Sequence, residues 1–317
     1  MERDAPMVAL PFLHKRSYTL SLYLNRLIAF LLLLIAVACS QEKKQPTGEE
    51  VVLQDGLGRE VRLPQPPKRV MAFASSMTEM LFAVCDTASI VGRTQQCDYP
   101  AEVYSKPIVN NYPVDFEQVL ALKPDLIFTI EGMTPLDVAA RLEELGIPVY
   151  YQKYRTVEDI FEGIEDIGRI MGRQQQASQL ADSLRRQVQV IENRYKQQAQ
   201  KQRVLAITWS DPIYVYGQNT ILTDQLRILG AENAVQEVFD QPYPALTREY
   251  ILKMNPDILL GGSIERLEKE FFSLYPELRK IDAYRNKRIY APTGNLIERP
   301  GPRVVESIVE LQGFLYP

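Results

Sequence analysis

The residue types able to do chemistry are few after residue 38. The only histidine of the 317-residue chain is His14, inside an apolar N-terminal region, so the remainder has no imidazole. That excludes Ser-His-Asp and Cys-His nucleophiles, imidazole acid/base catalysis and any zinc site needing a histidine. Neither GxGxxG nor GxxxxGK[ST] occurs, which removes the common dinucleotide and phosphate loops. Carboxylate chemistry survives, with Asp98, Glu131, Asp211 and Glu298 as candidates for a two-lobe glycosyl transferase or hydrolase, although nothing gives them a catalytic spacing. Cys85 and Cys97 are the only thiols beyond Cys39. An oxidising compartment would let them pair, but Cys85 follows a helix and Cys97 the next strand, about 13 Å apart along it. Two buried or half-buried thiols are expected.

Two acids stand out by position. Glu117-Gln-Val-Leu-Ala-Leu-Lys-Pro-Asp-Leu-Ile-Phe repeats as Glu249-Tyr-Ile-Leu-Lys-Met-Asn-Pro-Asp-Ile-Leu-Leu, with Glu, Leu, Pro and Asp in register. Both copies read as a short helix with Glu in the first turn, a proline turn and a buried strand. Convergence on a helix-stopping Pro-Asp accounts for the proline but not for the matched glutamates.

The elements that must carry these residues alternate between strand and helix. Val51 to Val61 turns on Asp55-Gly56-Leu57-Gly58 as a hairpin. Strand-like runs at 70–73, 89–92, 125–130 and 147–151 interleave with helical spacing at 76–84, 116–122 and 136–145. From Thr156 to Gln202 no strand signal occurs. Ala177, Leu180, Ala181, Leu184, Val188, Ile191 and Tyr195 recur at helical spacing there, one long amphipathic helix with a single buried stripe. Alternation resumes at 204–208, 258–260 and 288–291 and closes with a helix over 303–314. The repeat copies fall on either side of the long helix, so the expected fold is α/β: two similar lobes with central, mainly parallel sheets flanked by helices, joined by one long helix.

At the N-terminus, Lys15, Arg16 and Arg26 precede the apolar run from Leu27 to Ala38, the layout of a secretory signal and too short for a bilayer span. Ala36-Val37-Ala38-Cys39 resembles the lipobox of bacterial lipoproteins, with Ala36 where leucine is usual; ordinary cleavage after Ala38 is the alternative. The expected organisation is a signal peptide at 1–38, a lipidated Cys39 and tether at 39–50, an N-terminal lobe at 51–155, linking helices at 156–202 and a C-terminal lobe at 203–317. A hydrophobic content of 46% with 24% charged residues suits a soluble globular protein. A net charge of −4 without a basic cluster excludes nucleic acid as a partner.

Taken together, Asp55-Gly-Leu-Gly-Arg-Glu-Val-Arg-Leu-Pro, Pro67-Lys-Arg-Val, Thr78-Glu-Met-Leu-Phe-Ala, Val91-Gly-Arg-Thr, Cys97-Asp-Tyr-Pro, both repeat copies and Glu298-Arg-Pro-Gly-Pro-Arg303 resemble the substrate-binding proteins of ABC importers for cobalamin, haem and iron-siderophore complexes. The resemblance runs from about Val51 to Phe314. It implies a helical-backbone metal-receptor-like fold, and a monomer without a cofactor of its own that is held by a lipid anchor in the periplasm or at the extracytoplasmic face. It further implies that Glu117 and Glu249 dock on a permease with its ATPase subunits. It places Gln96, Tyr112, Trp209, Tyr243, Asn295 and Arg299 at the ligand. Gln96 and Ile130 stand where the cobalamin binder has aromatic residues, so the implied ligand is a corrinoid, a ferric siderophore or haem. Arg93, Arg299 and Arg303 are candidates to pair with anionic ligand groups, Arg303 alternatively packing at the start of the last helix. Haem would need a Tyr, Cys or Met donor.

Overall fold

The computed structural model describes residues 51–63, 66–198, 201–297 and 299–317, without the side chain of Asn295. The signal peptide, Cys39, the tether and Glu298 lie outside the described residues. Among the described residues no helix is long and apolar enough to cross a membrane.

Strands β1 (Val51–Gln54) and β2 (Glu60–Leu63) pair antiparallel as the expected hairpin. The Asp55 carboxylate accepts the Leu57 and Arg59 amides and the Arg59 guanidinium, which closes the turn. Arg59 also covers the Tyr151 ring at 4.6 Å and donates to the Val149 carbonyl, docking the hairpin onto the first sheet.

That sheet is parallel in the order β3 (Val70–Ala72), β4 (Leu126–Ile130), β5 (Val149–Gln152). Helices α1 (Ser75–Val84), α2 (Phe116–Leu122) and α3 (Leu136–Glu144) supply the crossovers. The strands are almost wholly buried, as helices on both faces require. The strand expected at 89–92 does not form. Ile90 makes one bridge to Val70 after a 3-10 turn over Thr87–Ser89, and Arg93 bridges Ile108 instead, so no two successive residues share a partner.

The link is two helices, α4 (Val157–Ile170) and α5 (Gln174–Tyr195). Thr156 and Asp159 form a capping box at the start of α4, and Gly172, at φ 65°, breaks the chain before α5. The 22 residues of α5 span about 33 Å. Ala177, Ala181, Leu184, Val188 and Tyr195 are its buried stripe.

The second sheet has five strands in the order β10-β9-β6-β7, with β8 on β6. In chain order the lobe runs β6 (Arg203–Ser210), β7 (Ile213–Val215), α6 (Ile221–Ile228), β8 (Glu232–Asn233), α7 (Arg248–Met254), β9 (Ile258–Leu260), α8 (Ile264–Glu270), α9 (Asp282–Arg285), β10 (Ile289–Tyr290), α10 (Gly294–Ile297) and α11 (Val304–Leu315). Only β7 is antiparallel. The lobes are therefore similar but unequal, three strands against five.

The sequence repeat is a structural one. Helices α2 and α7 are capped by Asp115 and Thr247, and both end on a left-handed residue, Lys123 at φ 47° and Asn255 at φ 48°. Asp125 and Asp257 then accept the backbone amides of Arg69 and Arg203, which open β3 and β6. Those arginines donate to the last carbonyls of the helices, Arg69 to Leu122 and Lys123, Arg203 to Met254 and Asn255. Arg-Val-Met-Ala at 69–72 and Arg-Val-Leu-Ala at 203–206 thus belong to the repeat. One apolar core runs through β3, α1, α4, α5, α6, β6 and α11 across both lobes, with separate cores on the outer faces of the two sheets. Such continuous packing resists a wide hinge motion.

Candidate ligand cleft

Residues at and just beyond the C-terminal ends of the parallel strands line two cavities, the place where open α/β sheets collect their binding groups. Ile130, the last residue of β4, Glu131 and Gly132 beyond it, and Tyr154 and Arg155 beyond β5 form one wall of a cavity of about 340 Å³. Its opposite wall comes from Tyr216, the start of α6 at Asn219 to Leu222, Asp240 and Tyr243, with Ile297 and Pro300 at the edge. The cavity is thus built by both lobes. A second one, of about 410 Å³, lies at the ends of β6 and β9, lined by Ile207, Trp209, Asp211, Gly261, Arg266 and Glu270.

Two of the residues expected at the ligand line these cavities. Tyr243 faces the first and packs edge-on against Tyr216 at 5.3 Å between centroids. Trp209 lines the second and is 64% exposed, its indole N–H donating to the Asp211 carbonyl at 2.8 Å. An indole anchored at its nitrogen presents a fixed aromatic face. Gln96, Tyr112 and Arg299 are on neither wall. Tyr112 is 87% exposed, and Gln96 offers its carbonyl to Arg299 at 2.9 Å. The backbone of Asn295 lies in α10.

Arg299 is committed within the protein. Its guanidinium reaches Glu79 of α1 at 3.2 Å and also pairs with Asp98. Arg303 donates to both oxygens of the same Glu79, at 2.8 and 2.7 Å, and lies 4.3 Å over the Tyr99 ring. Arg303 does stand at the start of the last helix, but its side chain makes no cap there; it joins the tail of the chain to the first lobe. Glu79 is 3% exposed. The signal for it in sequence is an acid inside the otherwise uncharged stretch Ser-Ser-Met-Thr-Glu-Met-Leu-Phe-Ala-Val. Arg93 is also buried, donating to the Thr94 and Cys97 carbonyls and thereby shaping the loop that carries Gln96 and Asp98.

The cavity walls are polar but internally paired. Burial would raise the Glu131 pKa, but hydrogen bonds from Lys153 and Arg155 and their charges hold it below the usual carboxylate range. Burial pushes the Tyr154 phenol well above its ordinary range, and its hydroxyl is turned inward to Gln152 and Met80. Asp98 is paired with Arg299, and Asp211 accepts the Tyr275 hydroxyl at 2.9 Å. Asp98, Glu131 and Asp211 thus each have separate partners. Cys85 and Cys97 are free thiols, half-buried and buried, as expected. Among the described residues no group of three or more His, Cys, Asp or Glu side chains can hold a metal ion.

Glu117 and Glu249 occupy the same place in the first turns of α2 and α7, both exposed, on different lobes. Their surroundings differ. Glu249 lies 2.9 Å from Arg248, which also pairs with Glu277, and the hydrogen bond from Arg248 keeps the Glu249 pKa below the ordinary range.

The sequence profile described as periplasmic binding protein matches residues 70–295. The chain belongs to the periplasmic binding protein family. This binding protein is 27% identical over 287 residues to an ABC transporter substrate-binding lipoprotein of Bacillus subtilis, covering 88% of this chain and 89% of that one. It is 23% identical over 248 residues to the vitamin B12-binding protein of Vibrio parahaemolyticus, covering 78% and 89%. Among solved structures, a possible iron-binding (periplasmic solute-binding) protein from Staphylococcus epidermidis superposes with a TM-score of 0.69 at 29% identity, over 80% of this chain and all (100%) of that one. The relatives are binding proteins, and the two-lobe α/β architecture expected from the repeat is theirs.

Proposed function

We propose that this binding protein is the ligand-capturing component of an ABC importer, which takes a corrinoid or a ferric chelate into the interlobe cleft and delivers it to an inner-membrane permease. The observation that carries the reading is the duplication itself. Two equivalent helices, one on each lobe, present Glu117 and Glu249 at the same exposed first-turn position, as a twofold-related permease would require of its docking charges. Tyr243 in the interlobe cavity and Trp209 in the second one offer aromatic faces to a flat macrocycle, and Gln96, Tyr112, Asn295 and Arg299 would meet the ligand only beyond those walls. The core shared by both lobes makes closure small, so release falls to the transporter. Acylation of Cys39 would hold the protein at the extracytoplasmic face as a monomer beside its permease and ATPase.

The test is the visible spectrum of protein purified from its host, followed by uptake of the ligand so identified in cells carrying Glu117→Ala with Glu249→Ala. A bound chromophore and loss of uptake with ligand affinity retained are expected. Undiminished uptake in the double variant would refute the docking role.

A further inference from the structure

The cations around the cleft are already matched by carboxylates of the protein. In the interlobe cavity Arg155 pairs with Glu131, which also takes Lys153 at 3.2 Å, and Asp240 adds a second acid to the lining. In the second cavity Arg266 lies 2.7 Å from Glu270, with Asp211 beside them. The second lining thus sets one arginine against two carboxylates, and in the first Arg155 and Lys153 balance Glu131 and Asp240. Arg299, in the segment between the cavity residues Ile297 and Pro300, is held by Glu79 on its buried side and by Asp98 and the Gln96 carbonyl on its outer side.

We infer that Glu79 and Asp98 are specificity-determining residues: by holding Arg299 and Arg303 inside the protein they leave the cleft with no guanidinium beyond the carboxylate-paired Arg155 and Arg266, and so select an uncharged ligand bearing amides or hydroxamates over one bearing carboxylates. The inference rests on the ligand-capture reading and deepens it. A carboxylate brought to the second cavity meets a surplus of like charge, and one brought to the interlobe cavity finds Arg155 and Lys153 already engaged by Glu131. Amide groups meet no such opposition, since they both donate and accept and the walls offer both kinds of partner. The two acids differ in how firmly they hold. Glu79 has a side chain 2% exposed and takes both arginines, whereas the Asp98 side chain is 38% exposed and lies at the outer end of the Arg299 contact. Asp98→Asn therefore opens one face of Arg299 and leaves the buried pair in place. Glu79→Gln removes the charge that both guanidiniums share, leaving Arg299 on Asp98 and the Gln96 carbonyl and Arg303 over the Tyr99 ring.

The experiment titrates the full-length protein and both variants with four probes: cyanocobalamin and ferrichrome, whose side groups are uncharged, and haemin and ferric citrate, which carry carboxylates. Equilibrium dialysis gives the affinities. Trp209, the only tryptophan of the chain, reports occupancy independently through its fluorescence. The expected result is binding of an uncharged probe at least about tenfold tighter than either carboxylate-bearing one, with the ratio narrowing about tenfold in Asp98→Asn. Glu79→Gln is expected to narrow it further, and if that variant does not fold, Asp98→Asn decides. Equal or tighter binding of haemin or ferric citrate by the unaltered protein overturns the inference, as does an unchanged ratio in Asp98→Asn. Binding of none of the four would instead count against the ligand-capture reading itself.

Discussion

Replacing Glu79 with alanine removes the one carboxylate shared by Arg299 and Arg303 and leaves two guanidiniums, on side chains 17% and 15% exposed, facing each other without it. Breaking a buried ion pair from one side costs about 3–5 kcal/mol. Arg299 keeps Asp98 and Arg303 keeps the Tyr99 ring, so the lower end applies, about 3 kcal/mol. For a chain of this size each kcal/mol lowers Tm by about 2–4 °C, giving a drop of about 6–12 °C in a calorimetric scan. Glu79→Gln, which restores hydrogen-bond acceptance but not charge, should recover part of the loss. Combining Glu79→Met with Arg303→Met should cost less than the sum of the two single changes, because neither charge is then left buried alone. A fall of less than about 2 °C in Glu79→Ala, or strict additivity in the double variant, would refute the reasoning that this triad ties the chain's tail to the first lobe.

Because Arg69 and Arg203 hold equivalent helix ends, alanine at either should destabilise by about 1–2 kcal/mol in urea unfolding, with the half-buried Arg203 giving the larger effect. Gly56→Ala would bring a Cβ to 2.9 Å from the Lys153 amide nitrogen; hydrogen exchange in β1 and β2 should quicken while the second sheet keeps its protection. The depressed Glu131 pKa contributes stability above its ordinary value of 4.5, lost as pH falls through the lower folded value. The Tm gap between the unaltered protein and Glu131→Gln should therefore shrink between about pH 6 and about pH 3, and a constant gap would contradict the pairing with Lys153 and Arg155. Burial pushes the Cys85 thiol up to about 12, so iodoacetamide at neutral pH should label it only after denaturation, as read by peptide mass spectrometry.

Local pattern carried most of the fold. Helical spacing in α5, the proline turns before β4 and β9 and the glycine hairpin at Asp55 are short-range features, and each formed where its residues required. The apolar run at 89–92 forms no strand because apolar character records burial and not partnership: Ile90 makes a single bridge to Val70, and the next bridge joins Arg93 to Ile108. The break at Gly172 and the short strands β7 and β8 left too little periodicity to be seen.

The sequence by itself determined the two-lobe duplication, the matched glutamates and the absence of imidazole chemistry, because these depend on residue identity and on spacing within a dozen positions. Which cations of the cleft are available to a ligand was decided only by the tertiary structure. Arg299 reads in sequence as an unclaimed cation in a proline- and glycine-rich loop, yet Glu79 lies 220 positions away. No periodicity records such a pair, and it exists because the last helix and α1 pack into one core, where a buried charge must find its opposite.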